Sequence, residues 1–253
     1  MKTDRLPDYY HALRPLRAGV ERGVPILTYH KLGPRPTGVR LKGLYVGAAL
    51  FRKQMAELGA AGFTTPPLGE LATVTENHRH WIGLTFDDGF RNVLRHGLEP
   101  LERHGFHAIQ FLVSDLIGKS NEWEQRDGEV AEMLMDDAEV RVWLAAGHRI
   151  GSHTRTHPRL TQLTPAEARE EIAGSRKALE DRFGVRIEHF CYPYGDWNEA
   201  VRDLVTEAGY LTACTTEPGV NAGGSSPLTL KRFTARYPSR NFKAFWRRLR
   251  AGI

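Results

Sequence analysis

Residues 81–113 read WIGLTFDDGFRNVLRHGLEPLERHGFHAIQFLV, and their organisation decides the fold. WIGLTF (81–86) is an apolar run of strand length, and HAIQFLV (107–113) is another. Between them LRHGLEPLERHG (94–105) has helical character and stops on Gly105. Strand, helix and strand in so short a span describe two parallel strands joined by a crossover helix.

The same cadence runs outward in both directions. Further strand candidates are VPILTYH (24–30), HRIGSH (148–153), EHFCYP (188–193), YLTACTT (210–216) and LTLKRF (228–233). Helical stretches separate them: AALFRKQMAELGAAG (48–62), DDAEVRVWLAAG (136–147), TPAEAREEIAGSRKALEDRFG (164–184) and NEAVRDLVTEAG (198–209). The third is the clearest, with Thr164 as N-cap, Pro165 at the first helical position and Glu167 completing a capping box. Gly184 stops it, and Ala168, Ile172, Leu179 and Phe183 form its apolar stripe. This alternation is α/β, and about seven such units in one domain predict a closed or nearly closed barrel.

At 253 residues, 41% hydrophobic and 26% charged, the chain suits one soluble core. The domain is expected over 24–240, after an N-terminal extension over 1–23. That N-terminus has no apolar signal-peptide core, and no stretch approaches the roughly 20 residues of a membrane span. A cytoplasmic location is therefore the expectation. Cys191 and Cys214 lack metal or redox spacing and read as small buried side chains. The formal charge is +5, with much of the excess in NFKAFWRRLRAGI (241–253). Phe242, Phe245, Trp246 and Leu249 recur there at helical spacing among basic residues. This basic amphipathic helix either packs on its own domain or makes peripheral contact with an anionic membrane surface. No nucleic-acid-binding motif accompanies the charge, so nucleic acid is not an expected partner.

In α/β barrels the reactive groups gather at the carboxyl ends of the strands. Here those ends carry His30, the adjacent Asp87 and Asp88, and His153 followed by His157 in SHTRTHP. CYPYGDW (191–197) ends another. Two imidazoles and one carboxylate with an open position are a known catalytic zinc arrangement, compatible with other divalent transition metals. His153 and His157 face the same way on a helix and converge equally well in a tight loop. Asp88 has two readings: a cap for a helix beginning DGFRNVL, or a metal ligand with the two histidines. In the second reading Asp87 is left beside the metal as a general base toward its water.

TFDDGF followed by SHTRTH resembles the first two signature motifs of the NodB-type polysaccharide deacetylases, carbohydrate esterase family 4. YPYG (192–195) resembles the tail of their third motif, and the similarity runs from about residue 24 to 235. The resemblance implies a single-domain distorted (β/α) barrel, the NodB-homology fold, and metal-dependent removal of N-acetyl groups from amino sugars. It implies Asp87 as base, Asp88, His153 and His157 as metal ligands, and Tyr194, following Pro193, as a backbone oxyanion donor. No histidine follows residue 217 to act as the acid many relatives draw from the C-terminal side. ILTYH (26–30) instead looks like a permuted subgroup that includes the poly-N-acetylglucosamine deacetylases, which implies His30 as the acid.

Two departures stand out. Motif three usually opens with an Arg that steadies the catalytic Asp, and here that position is Cys191. The Asp/Trp-containing fourth motif is not recognisable. Arg232 in LKRF is the candidate substitute for the missing Arg, as base support or as a structural ion-pair residue. Trp123 and Trp197 are either sugar-stacking platforms or core. The expected cofactor is a divalent transition metal, Zn2+ first, with Ni2+, Co2+ or Fe2+ compatible. The expected partner is an N-acetylated glycan or its lipid-linked precursor, met at the inner face of the membrane. O-acetyl esters, another amide, or glycan binding without catalysis are the competing readings.

Overall fold

A computed structural model describes residues 23–71 and 80–235. The expected extension before residue 23 and the expected helix over 241–253 lie outside the described residues. The principal strands are β1 (Val24–Tyr29), β4 (Gly83–Phe86), β5 (Ile109–Leu112), β6 (Arg149–Ser152), β7 (His189–Cys191), β8 (Thr212–Cys214) and β10 (Phe233–Thr234). They lie in one sheet in the order β10-β1-β4-β5-β6-β7-β8, and every pairing along that path is parallel. An eighth strand, β9 (Val220–Asn221), pairs antiparallel with the start of β1. The short strands β2 (Lys31–Leu32) and β3 (Tyr45–Val46) form a separate parallel pair.

The ring closes through the last segment. Leu230 bridges Cys214 of β8, and three residues later Phe233 and Thr234 pair with Leu27 and Thr28 of β1. The expected continuous strand over 228–233 is therefore corrected. Pro227–Thr229 is a 3-10 turn and regular pairing is confined to β10. One short segment must serve two different partners, so neither half can pair at length. Between them the Asn221 side chain accepts from the Lys231 N–H at 2.9 Å and donates to its C=O at 2.9 Å, standing in for a neighbouring strand.

Both faces of the ring are buried, which is why the strands read as apolar runs. Val24, Ile26, Ile109, Phe111, Cys191, Cys214 and Leu230 pack together in one cluster, both cysteines buried and free. Leu27, Leu84, Phe86, Leu112, Ile150 and Phe190 belong to the larger cluster with the helices. Of those helices, α1 spans Ala48–Ala60, α2 Arg91–Arg103, α3 Asp137–Ala145 and α5 Glu199–Glu207. The helix α4 runs from Pro165 to Phe183, with the expected Thr164–Glu167 capping box and Gly184 at φ +67. Its stripe of Ala168, Ile172, Leu179 and Phe183 is buried as the spacing predicts. A π-helical turn at Glu170–Gly174 interrupts it, a feature the spacing does not foretell.

His189 in β7 gives this core a pH dependence. It is buried, Nδ1 lies 2.9 Å from Thr212 Oγ1, and Nε2 has no partner. Burial, with Arg149 nearby, pushes its pKa down to about 4. The unfolded chain protonates this side chain near pH 6.5, and the folded protein only near 4. Stability should therefore fall as pH falls across that window, by about 1.4 kcal/mol per pH unit from this group. Urea unfolding at pH 7 and about pH 4.5 checks it: His189→Gln should flatten the difference, and an unchanged slope refutes the assignment.

Candidate active site

The carboxyl ends of β1, β4, β6 and β7 converge on one buried polar site. Asp87 follows β4, and its N–H donates to the Tyr29 carbonyl at 2.9 Å, extending the pairing with β1. Its carboxylate meets Arg232 in a two-pronged contact: Nη1 donates to Oδ1 and Nη2 to Oδ2, each at 2.8 Å. The guanidinium also donates to the Thr215 carbonyl at 2.9 Å, to Thr85 Oγ1 at 3.0 Å and to Cys191 Sγ at 3.1 Å. Arg232 thus lies against the small side chain that stands where motif three usually carries Arg. Burial opposes ionisation of Asp87, yet the Arg232 charge and hydrogen bonds, helped by His30 and His153, hold its carboxyl below the usual range. His30, after β1, brings Nε2 to 3.8 Å from Asp87 Oδ2. Its Nδ1 is buried without a partner.

Asp88 turns away from its neighbour. Its φ of +75 is left-handed, and Gly89 follows at +83, so the chain reverses into α2 within a few residues. The capping reading of Asp88 is corrected, because Phe90 occupies the N-cap of α2 and no side chain caps it. Asp88 Oδ1 instead lies 3.4 Å from His153 Nε2 and 3.4 Å from His157 Nε2. The two histidines sit in a tight loop after β6, not on a helix. His153 Nδ1 is 2.7 Å from the Cys191 carbonyl, which can only accept, so Nδ1 carries a proton; Nε2, facing Asp88, would present a lone pair to a metal once its own proton is lost.

Burial opposes the Asp88 charge too, but the hydrogen bonds from His153 and His157 hold its carboxyl well below the usual range. Burial lowers the His157 pKa despite Asp88. For His153 the opposing burial is outweighed by Cys191 and Asp88, and its pKa rises well above the usual value.

Asp88, His153 and His157 offer ligand atoms within 4.8 Å of one another, all buried. One carboxylate and two imidazoles, one held by a carbonyl behind it, match the donor set of a divalent transition-metal centre. Asp87, His153 and Cys191 also cluster this closely, but the Arg232 guanidinium already engages two of those three. The first set is the better fit. Four non-glycine residues have left-handed backbone among the described residues: Asp88, Thr154, His157 and Tyr194. All four belong to this site, and such strain persists only where surroundings enforce it.

Pro193 is buried, and Tyr194 after it is 44% exposed, its ring 4.6 Å from that of His157 and under the Arg159 guanidinium. The Trp123 ring stacks on His157 at 4.6 Å and is buried, so it supports that imidazole rather than standing free for a sugar. Trp197 packs toward Tyr192 at 6.2 Å. The polar stretch after residue 118 carries Trp123 to the site. What sequence reasoning missed is its anchor. Lys31 is fully buried, with Nζ 2.7 Å from Glu124, 3.4 Å from Glu132 and 4.3 Å over the Phe90 ring. A lysine directly after a buried strand, with an acidic loop to follow, was the available signal.

A parallel ring carries paired carboxylates and two histidines at its carboxyl-end mouth, a donor set that could hold a metal ion. The chain belongs to the polysaccharide deacetylase family, whose model matches residues 75–213. Among curated relatives, YxkH of Bacillus subtilis, named for that family, is 27% identical over 214 residues, covering 83% of this chain and 70% of that protein. The peptidoglycan-N-acetylglucosamine deacetylase PgdA of Listeria monocytogenes is 25% identical over 173 residues, 68% of this chain and 32% of that protein. The chain thus spans about a third of PgdA. The crystal structure of BC0361, a polysaccharide deacetylase from Bacillus cereus, superposes with a TM-score of 0.73 at 25% identity, covering 88% of this chain and 69% of that one. Among the described residues no helix is long and apolar enough to cross a membrane.

Proposed function

We propose that this protein hydrolyses N-acetyl groups from the amino sugars of a polysaccharide or its lipid-linked precursor. The observation that carries the reading is the division of Asp87 and Asp88 between two partners, Arg232 for the first and the histidine pair for the second. Family membership and the N-acetylglucosamine chemistry in the name of PgdA support the substrate class.

Asp88, His153 and His157 would hold a divalent transition metal, zinc first by donor type, with nickel, cobalt or ferrous iron also suited. When bound, such an ion supplies Lewis-acid polarisation of the acyl oxygen and lowers the pKa of water. Asp87, kept ionised by Arg232, accepts the proton of the attacking water. The Tyr194 N–H donates to the oxyanion that develops on the acyl oxygen. His30, across from Asp87, delivers a proton to the departing nitrogen, so water and amide become acetate and a free amine.

His153→Ala should lose the metal altogether, with stoichiometry falling from about one per chain toward zero by elemental analysis. Retention of one equivalent in that variant refutes the ligand assignment. Acetate release from N-acetylglucosamine oligomers, compared with release from acetyl esters, tests the bond. Turnover of esters alone would redirect the reading to O-deacetylation, and glycan binding without acetate release would remove catalysis.

A further inference from the structure

The loop between His153 and His157 is held from outside by one carboxylate. Glu171 Oε2 accepts from the Arg155 N–H at 2.8 Å and the Thr156 N–H at 3.0 Å, and Oε1 accepts from the Thr156 hydroxyl at 2.7 Å. Both backbone donors belong to residues lying between the two histidines. Glu171 belongs to the π-helical turn of α4, at Glu170–Gly174. Such turns inside α-helices occur often at functional sites. The approach is close: a Cβ added at Gly174 would come within 3.1 Å of Arg155 Cδ and 2.8 Å of Glu170 Oε1. At the end of that turn, Ser175 Oγ donates to the Thr154 carbonyl at 3.1 Å.

The loop needs such support. Thr154 has φ +69 and His157 φ +67, so the backbone is strained on both sides of the clamp. Within the loop, the Thr154 hydroxyl accepts from the His157 N–H at 3.0 Å. The neighbouring Glu170 engages the Arg155 side chain rather than the loop backbone, and that side chain also reaches Asp115 at 3.0 Å. Hydrogen bonds from backbone N–H groups to a carboxylate are among the stronger ones available.

We propose that Glu171 is a positioning residue for the metal centre, holding the strained loop so that His153 and His157 present Nε2 to the same point. The inference rests on the functional reading of Asp88, His153 and His157 as ligands. It extends that reading to a residue that touches neither the metal nor the substrate, and it assigns the π-helical turn a purpose. Groups that orient metal ligands typically change affinity by about 10–100-fold when removed.

The test is Co2+ binding to the full chain by titration, read by dissociation constant and by the visible absorption of the bound ion. Glu171→Ala should weaken binding by about 10–100-fold and alter the Co2+ spectrum, and excess metal should restore acetate release. Glu171→Gln keeps one acceptor and should fall between Glu171→Ala and wild type. Glu170→Gln, which leaves the backbone clamp intact, should bind Co2+ as wild type does. Should Glu171→Ala fail to fold, Glu171→Gln with an unchanged thermal midpoint decides the matter. Affinity and spectrum in Glu171→Gln matching wild type would overturn the inference alone. Wild-type protein that binds no Co2+ would overturn the functional reading, and this inference with it.

Discussion

Asp87→Asn should abolish acetate release while the metal stays bound. Asparagine fills the same space but cannot take a proton from water, and loss of a positioned general base costs about 10²–10⁴-fold. The proposed ligands Asp88, His153 and His157 are untouched, so metal stoichiometry should match wild type. Stability should fall as well, because Arg232 loses its ionised partner while remaining 1% exposed. Its contacts to Thr215, Thr85 and Cys191 soften that loss. Thermal midpoint and metal content, measured on the same preparation, separate a misfolded variant from one lacking only the base. Full activity in folded, metal-replete Asp87→Asn would sink the mechanism.

Arg232→Met is expected to damage both stability and the pH profile. Methionine keeps the apolar stem but leaves the Asp87 carboxylate buried without a cation. Truncating one member of a buried ion pair typically costs about 3–5 kcal/mol, against a total stability of about 5–15 kcal/mol. The sign of the pH effect follows from the environment. With Arg232 present, the Asp87 carboxyl titrates below its ordinary value. The pair therefore stabilises the fold above the unfolded carboxyl range, and that contribution is lost as pH falls through the depressed value. Without the guanidinium, burial is the dominant influence and raises the carboxyl pKa. The acid limb of kcat/KM should then move to higher pH, and Arg232→Lys, which keeps charge but not the two-pronged geometry, should recover part of the shift. Denaturant midpoints and pH–rate profiles measure both effects. A variant with unchanged midpoint and unchanged acid limb would leave Arg232 as a bystander.

The departure at Cys191 takes on a different meaning beside this geometry. The family resemblance places an arginine there, and without it the base needs support from elsewhere. In the folded chain a guanidinium reaches Asp87 from the closing segment instead, and its Nη2 lies 3.1 Å from the cysteine sulfur. A full-length side chain at 191 would compete for the space that Arg232 occupies.

Much of this is legible from local pattern. The strand–helix alternation, the capping box at Thr164 and the apolar stripe of α4 are each written within a few residues, because burial and capping act at short range. The residue types at the strand ends single out Asp87, Asp88, His153 and His157 without any coordinates. What only the tertiary structure decided is which of them meet, and how. Arg232 and Asp87 are separated by 145 positions and touch because Leu230 pairs with β8 while β10 pairs with β1, closing the ring between them. The left-handed turns at Asp88 and His157, the Trp123 ring behind His157 and the π-helical turn carrying Glu171 arise the same way. Periodicity records which side of an element is buried. It carries no record of strand register or of strained backbone, and those are set only when distant segments pack and hold one another in place.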